Sequence, residues 1–275
     1  MSRPGARAAP AFAVMVTLTL AAAGFNGLMV ALMALRLEAL LPGPFAQMGH
    51  FTDPRHRTHD LTFALLFLPC VLGLVAQYRR PARNVAGMLM TLIPPAALVV
   101  VLLVTLAAGN TRVLQPPWLI VGAGALFATA LHPAGNDFFS SFRWSRRNWA
   151  LTALVAVAAA GLVPLAVSNI GLQTAVPDDH AAAGHYGFMA AFAVTTVGVG
   201  LLACLRPDGW RLPAWTAGLL PALLGAASIL YPQATSSLTT PWAFAAIAWG
   251  TLFITVTQLG REPAASPTPE TSTPG

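Results

Sequence analysis

Lysine is missing from this chain: all fifteen basic residues are arginine. Charge of either sign is scarce, at 9% of residues, where ordinary globular proteins carry about 25%. With 56% hydrophobic residues, a chain of 275 residues cannot enclose its apolar content in a soluble core. The composition therefore excludes a soluble domain and places the chain among polytopic membrane proteins. The net charge of +6 does not point to nucleic acid, because the arginines lie between apolar segments and form no continuous basic face. There are two cysteines and no CxxC; Cys70 is expected mid-membrane and Cys204 near a membrane end, so they do not pair. HExxH, the GxxxxGK[ST] phosphate loop and the GxSxG elbow are all absent. No acidic residue lies deep in an apolar segment, which counts against a proton-driven carrier. Arginine-only basicity with abundant Ala, Gly and Pro reads as a GC-rich bacterial codon signature, so a bacterial inner (plasma) membrane is the expected location.

What is present is a series of eight apolar segments, at about 11–35, 60–78, 86–108, 117–134, 149–168, 185–205, 213–231 and 241–259. The expected fold is all-α, a transmembrane bundle of about eight helices, with the lipid bilayer as its partner. The N-terminus imitates a signal peptide, but its apolar run continues to about Leu35, too long for a signal core. Eleven of the fifteen arginines fall on one side if the N-terminus is inside. Arg36, Arg55, Arg57 and Arg112 fall on the other, so both termini are expected in the cytoplasm. Residues 261–275 are rich in Pro, Ser and Thr and read as a disordered cytoplasmic tail. Pro94, Pro95 and Pro221 are expected to kink their helices. Trp118 and Trp242 each follow a proline at an outer helix start, as interfacial tryptophans do. His132-Pro133-Ala134-Gly135 carries the stop signals of an inner helix end.

The chain also resembles itself. At a constant offset, His59 matches His185, Asp53 matches Asp179, Arg80-Pro81 matches Arg206-Pro207, and Pro95 matches Pro221. Two four-helix repeats are expected, 1–148 and 149–260. Four helices per copy would give both halves the same orientation, with the symmetry axis along the membrane normal.

Polar residues gather in two outer stretches. One is His50-Phe51-Thr52-Asp53-Pro54-Arg55-His56-Arg57-Thr58-His59-Asp60; the other is Pro177-Asp178-Asp179-His180 followed by His185-Tyr186. Asp53-Pro54 is a helix-start signal, so the second helix is expected to begin near Pro54, with His56 and His59 on one face. Asp178 and Asp179 suit the N-terminal end of a helix. His180 and His185 would diverge by ~140° on one continuous helix, so they can act together only if a helix starts between them. The candidate metal ligands are His56, His59, His180 and His185, with Asp53, Asp60 and Asp179 as further ligands or bases. Imidazole and carboxylate suit Zn or Cu, and two histidines alone could ligate a haem iron. The plainer alternative is that these residues cap helices and hydrogen-bond between them at the water interface. The leading reading is a multi-pass membrane protein of unassigned activity whose working surface is an outer, His-lined cleft near His59 and His185; a metal- or haem-dependent membrane enzyme is the second reading and a small-solute or lipid transporter the third.

Pro177-Asp178-Asp179-His180, His185 and the aromatic last helix from Pro241-Trp242 resemble an uncharacterised bacterial family of multi-pass membrane proteins, catalogued as domain of unknown function 998. The resemblance covers roughly 150–260 and implies a membrane fold with no established reaction. Haem A synthases resemble the chain in having eight helices in two halves. They need histidines on the second and fourth helices of each half, and Trp118 and Trp242 stand at the starts of the fourth and eighth, so that family is set aside.

Overall fold

The computed structural model describes residues 5–37, 54–144, 147–175 and 177–260. Among them every regular element is helical. The helices are α1 (Gly5–Ala34), α2 (Arg57–Ala76), α3 (Val85–Leu106), α4 (Pro116–Ala130), α5 (Trp149–Ala175), α6 (Asp179–Ala183), α7 (His185–Leu205), α8 (Arg211–Leu230) and α9 (Thr240–Leu259). Seven of these are long and apolar enough to cross a bilayer. A helix satisfies its own backbone hydrogen bonds, which is the condition for crossing lipid. The chain is a multi-pass helical membrane protein.

α4 has fifteen residues, about 22 Å of helix. It is shorter than the segment 117–134 expected from the sequence, because Pro133 and Gly135 end it early. It packs on α1 and α3. Trp118 near its start stacks on Phe67, midway along α2, and His132 past its end meets Gln77 just beyond α2. Trp118 is buried, 5% exposed, so it is a packing residue and the interfacial expectation is corrected. Trp242, 64% exposed, fits that expectation. α5 extends to Ala175, beyond the expected end near 168.

Helices α2, α3, α7 and α8 form the centre, with α3 packed on α7 and α8 on α2. α1 and α4 flank α2 and α3; α5 and α9 flank α7 and α8. The flanking helices turn large apolar side chains outward, among them Leu18, Ile120, Val157 and Phe244. In water such a surface would drive aggregation; in a bilayer it is the lipid-facing surface. Close approach sets the tightest helix pair. A Cβ on Gly218 of α8 would lie 2.6 Å from the carbonyl oxygen of Gly250 on α9. Small residues at such contacts let backbones touch where no hydrophobic effect drives helices together.

The two ends of the bundle differ. One gathers Arg79, Arg80, Arg83, Arg143, Arg147, Arg206 and Arg211. There Ala86 N–H donates to Asp208 O, Asn148 N–H to Cys204 O, and Arg206 Nη2 to Gly260 O. A hydrogen-bonded set also closes this end. Gln77 Nε2 donates to Gly73 O at 3.0 Å and to Asn84 O at 3.1 Å. Ala134 N–H donates to His132 Nδ1, so His132 Nε2 carries the proton and donates to Gln77 Oε1. The other end gathers the histidines.

Candidate metal centre

The first pair of histidines comes from one helix start. Pro54–His56 form a single 3₁₀ turn that leads into α2. Pro54 favours this start, since its fixed φ suits a helix opening and its missing N–H is not needed there. His56 and His59 then stand one turn apart, with ring centroids 4.9 Å apart. Arg55 O accepts from Thr235 N–H, and Thr58 Oγ shares a 2.7 Å hydrogen bond with Ser237 Oγ. The start of α2 is thereby tied to the loop before α9.

The second pair comes from a broken helix. Asp178 is the N-cap of α6: its backbone is extended and its Oδ1 accepts from Ala181 N–H at 2.8 Å. Gly184 ends α6 at φ +81°, a conformation that costs glycine little, and its missing Cβ would lie 2.7 Å from Arg112 O. α7 begins afresh at His185. A helix thus starts between His180 and His185, and their rings come to 6.0 Å instead of diverging. Gln173 fixes the junction from α5, donating to Ala181 O at 2.7 Å and accepting from Gly187 N–H at 3.0 Å.

The two pairs meet. His59 and His185 stack with centroids 3.9 Å apart. His56 lies 5.1 Å from His185 and 4.4 Å from His180, and His59 lies 5.0 Å from His180. All four are buried, at 0–7% exposure. One ring nitrogen from each of His56, His59 and His185 lies within 4.8 Å of the other two. Asp60 completes the set: its Oδ1 is 3.5 Å from His185 Nε2 and 3.9 Å from His59 Nε2. Its Oδ2 is buried and has no hydrogen-bond partner among the described residues, and the same holds for His180 Nε2. Buried polar atoms left in this way are costly unless something else meets them.

Surrounding groups aim the rings. Ser236 Oγ lies 3.3 Å from His59 Nδ1, which leaves Nε2 facing Asp60 and His185. Tyr186 donates to Asp178 Oδ2 at 2.8 Å, and His180 Nδ1 lies 3.8 Å from that same oxygen. Partial burial would raise Asp178, but the Ala181 amide, the Tyr186 hydroxyl and the His180 ring outweigh it and hold the carboxyl below its usual range. Beneath the histidines lies an aromatic floor. Phe63, one turn past His59, packs at 4.3 Å on Phe188 of α7, and Trp118 stacks at 4.0 Å on Phe67.

The structure thus brings together four residues expected from the sequence as ligands, His56, His59, His180 and His185, together with Asp60. Asp179 is exposed at the start of α6. His50 and Asp53 lie outside the described residues. Two polar partners carried no signal in the sequence. Ser236 sits in a Thr- and Ser-rich loop that reads as a plain turn, and Gln173 lies past the end expected for its helix. The chain matches no family model, no curated protein and no solved structure.

Proposed function

We propose that this protein is a membrane-embedded metalloenzyme of the hydrolytic class. His56, His59 and His185 hold one divalent transition metal, Asp60 is the acid–base group, and His180 is an exchangeable further donor. One observation carries the reading: four imidazoles and one carboxylate, from the starts of α2, α6 and α7, converge in a single buried cluster. Three imidazoles suit zinc, whose catalytic sites use three protein ligands and leave a position open. Tetrahedral nitrogen ligands on zinc stand about 3.4 Å apart, so the three nitrogens need to draw in only modestly to hold the ion. Such an ion would supply Lewis acidity and activate water for hydrolysis. Asp60, beside His59 and His185, is placed to take the proton from that water.

Two other readings fare worse. A haem held between His59 and His185 needs their nitrogens to face each other across the porphyrin, whereas the rings lie stacked. A transporter needs polar groups along its path. Among the described helical residues Asp60 is the only acidic one within a span. Buried threonines further in, Thr91 and Thr196, return their hydroxyls to their own helices, and the aromatic floor closes the way.

The arginine distribution supports placing the histidine end outside and both termini in the cytoplasm of a bacterial inner membrane. The two-repeat reading is supported by the reciprocal packing of α3 on α7 and α8 on α2. It is further supported by the left-handed backbone shared by Arg80 and Arg206, each before a proline. In that reading His59 and His185 meet at the pseudo-symmetry axis. The resemblance to domain of unknown function 998 assigns no reaction and leaves this proposal to the site alone.

Elemental analysis of the purified protein, prepared without chelators, tests the metal. Near-stoichiometric zinc, lost in His59→Ala and His185→Ala but retained in Asp60→Asn, is the expected result. Wild-type protein without metal after zinc loading would sink the proposal.

A further inference from the structure

Beside the histidine end, a groove of about 670 Å³ runs into the lipid-facing side of the bundle between α5, α8 and α9. Its shape follows from how three helices diverge. Trp249 Nε1 donates to Leu154 O at 3.0 Å and pins α9 to α5 toward the arginine end. From there toward the histidine end the two helices part, and α8 forms the back wall with Pro221 and Leu224. Pro164 of α5 and Pro221 of α8 both line the groove, and each removes a backbone hydrogen bond from its helix. Ser168 is the only lining residue with a polar group other than the two tryptophans. From Val157 to Ser168 the groove follows about 16 Å of α5.

The mouth of the groove and the candidate metal centre share one wall. Leu238 lines the groove, and Leu238 N–H donates to Ser228 Oγ at 3.0 Å. Two residues earlier, Ser236 contacts His59, and Ser237 between them bonds to Thr58. Leu162, Leu224 and Leu238 also pack in the same apolar cluster as Phe63 and Phe188, the floor beneath the histidines. An apolar slot on the lipid-facing side, separated from a buried polar site by the Ser236–Leu238 loop alone, has the form needed by an acyl chain with a polar head.

We infer that the groove is the chain-binding half of the substrate site: the substrate is a membrane-borne acyl amphiphile. Its tail lies between α5 and α9, and its head passes the Ser236–Leu238 loop to the histidines. This inference rests on the metal reading above. It adds that chain length, and not the head alone, governs affinity.

The test uses the zinc-loaded full chain in detergent micelles of fixed composition, with three probes. Dodecanohydroxamate joins a long chain to a metal-binding head, acetohydroxamate has the head alone, and dodecanamide has the chain with a poor ligating head. Two variants fill the groove from opposite walls, Ala245→Trp on α9 and Ala160→Leu on α5. Both positions face lipid, and zinc content with gel-filtration profile reports whether each variant folds. The expected result is that wild type binds dodecanohydroxamate more tightly than either other probe. Each folded variant should lose at least about tenfold of that affinity, or ~1.4 kcal/mol, while acetohydroxamate binding stays unchanged. Unchanged dodecanohydroxamate binding in both variants, with zinc bound, would overturn the groove and leave the metal centre standing. Absence of zinc from wild type would overturn both, and the metal assay alone separates that outcome from the first.

Discussion

The ring of His59 lies stacked on that of His185, centroids 3.9 Å apart and planes 26° apart, although the two residues open different helices, α2 and α7. Two neutral imidazoles can share that space; two imidazolium rings would repel across it. Asp60 lies beside both rings, and a metal ion would take the pair in the neutral form.

Ser236 gives the sharpest test of ring orientation. It touches His59 on the nitrogen facing away from Asp60. Ser236→Ala should weaken zinc affinity about tenfold, the range typical for losing an outer hydrogen bond to a metal-ligating histidine. Isothermal titration with a competing chelator reads it. Ser236→Thr, which keeps the hydroxyl, should recover most of the affinity. An equal loss in both variants would point to disturbed loop packing and not to orientation.

Asp60→Asn separates chemistry from binding. The substitution keeps the shape beside His185 but cannot take up a proton in the same way. Hydrolysis of an acyl ester substrate in micelles should fall by a factor on the order of 10²–10⁴, the usual share of a general base, with zinc content unchanged. Full activity in this variant would remove Asp60 from the mechanism.

Gly184 should resist replacement. Its φ of +81° and the nearby Arg112 carbonyl leave no room for a Cβ. Gly184→Ala should cost roughly 1–3 kcal/mol and lower the thermal midpoint. Because Gly184 sets the angle between α6 and α7, zinc affinity should fall as well. A variant as stable and as tight as wild type would show that the junction tolerates another backbone path.

His132 predicts a pH dependence at the opposite end of the bundle. It lies in the turn past α4, buried among Phe12, Phe138 and Gln77. Burial lowers its pKa from the usual value to about 4, against a weaker opposing hydrogen bond to the Pro81 backbone. The unfolded chain therefore binds a proton near its ordinary pKa of about 6.5, before the folded chain does. Stability from this residue is complete above that pH and declines as pH falls toward 4. Thermal melts of wild type should show this slope, and His132→Gln should flatten it. Identical slopes would mean that other groups set the acid response.

Much of this was legible in the sequence, and for identifiable reasons. Bilayer-length apolar runs have one economical solution, the helix, so the spans could be read directly. His59 and His185 stand at matching positions after matching aspartates, and that made them visible as a pair. Asp178 and Asp179 suited a helix N-terminus together; Asp178 caps α6 and Asp179 opens it. The break at Gly184 was harder, because Ala181-Ala182-Ala183-Gly184 reads as more helix; the clue was only the five-residue spacing of His180 and His185. Ser236 was invisible because its role comes from tertiary contact, through a loop with no motif. Trp118 misled for the same reason: a tryptophan after a proline has an interfacial look, and only packing against Phe67 reveals that it is buried.

The aromatic floor has an electrical consequence. Phe63, Phe188, Phe67 and Trp118 separate the histidines from the bundle's interior, so a transmembrane voltage would fall mainly across the layer below them. A unit charge moved through the whole field of 100 mV changes energy by about 2.3 kcal/mol, but one moved between this cluster and its nearer water crosses little of that field. If Asp60 is the acid–base group proposed above, its proton uptake should run at the same speed in an energised membrane as in a depolarised one.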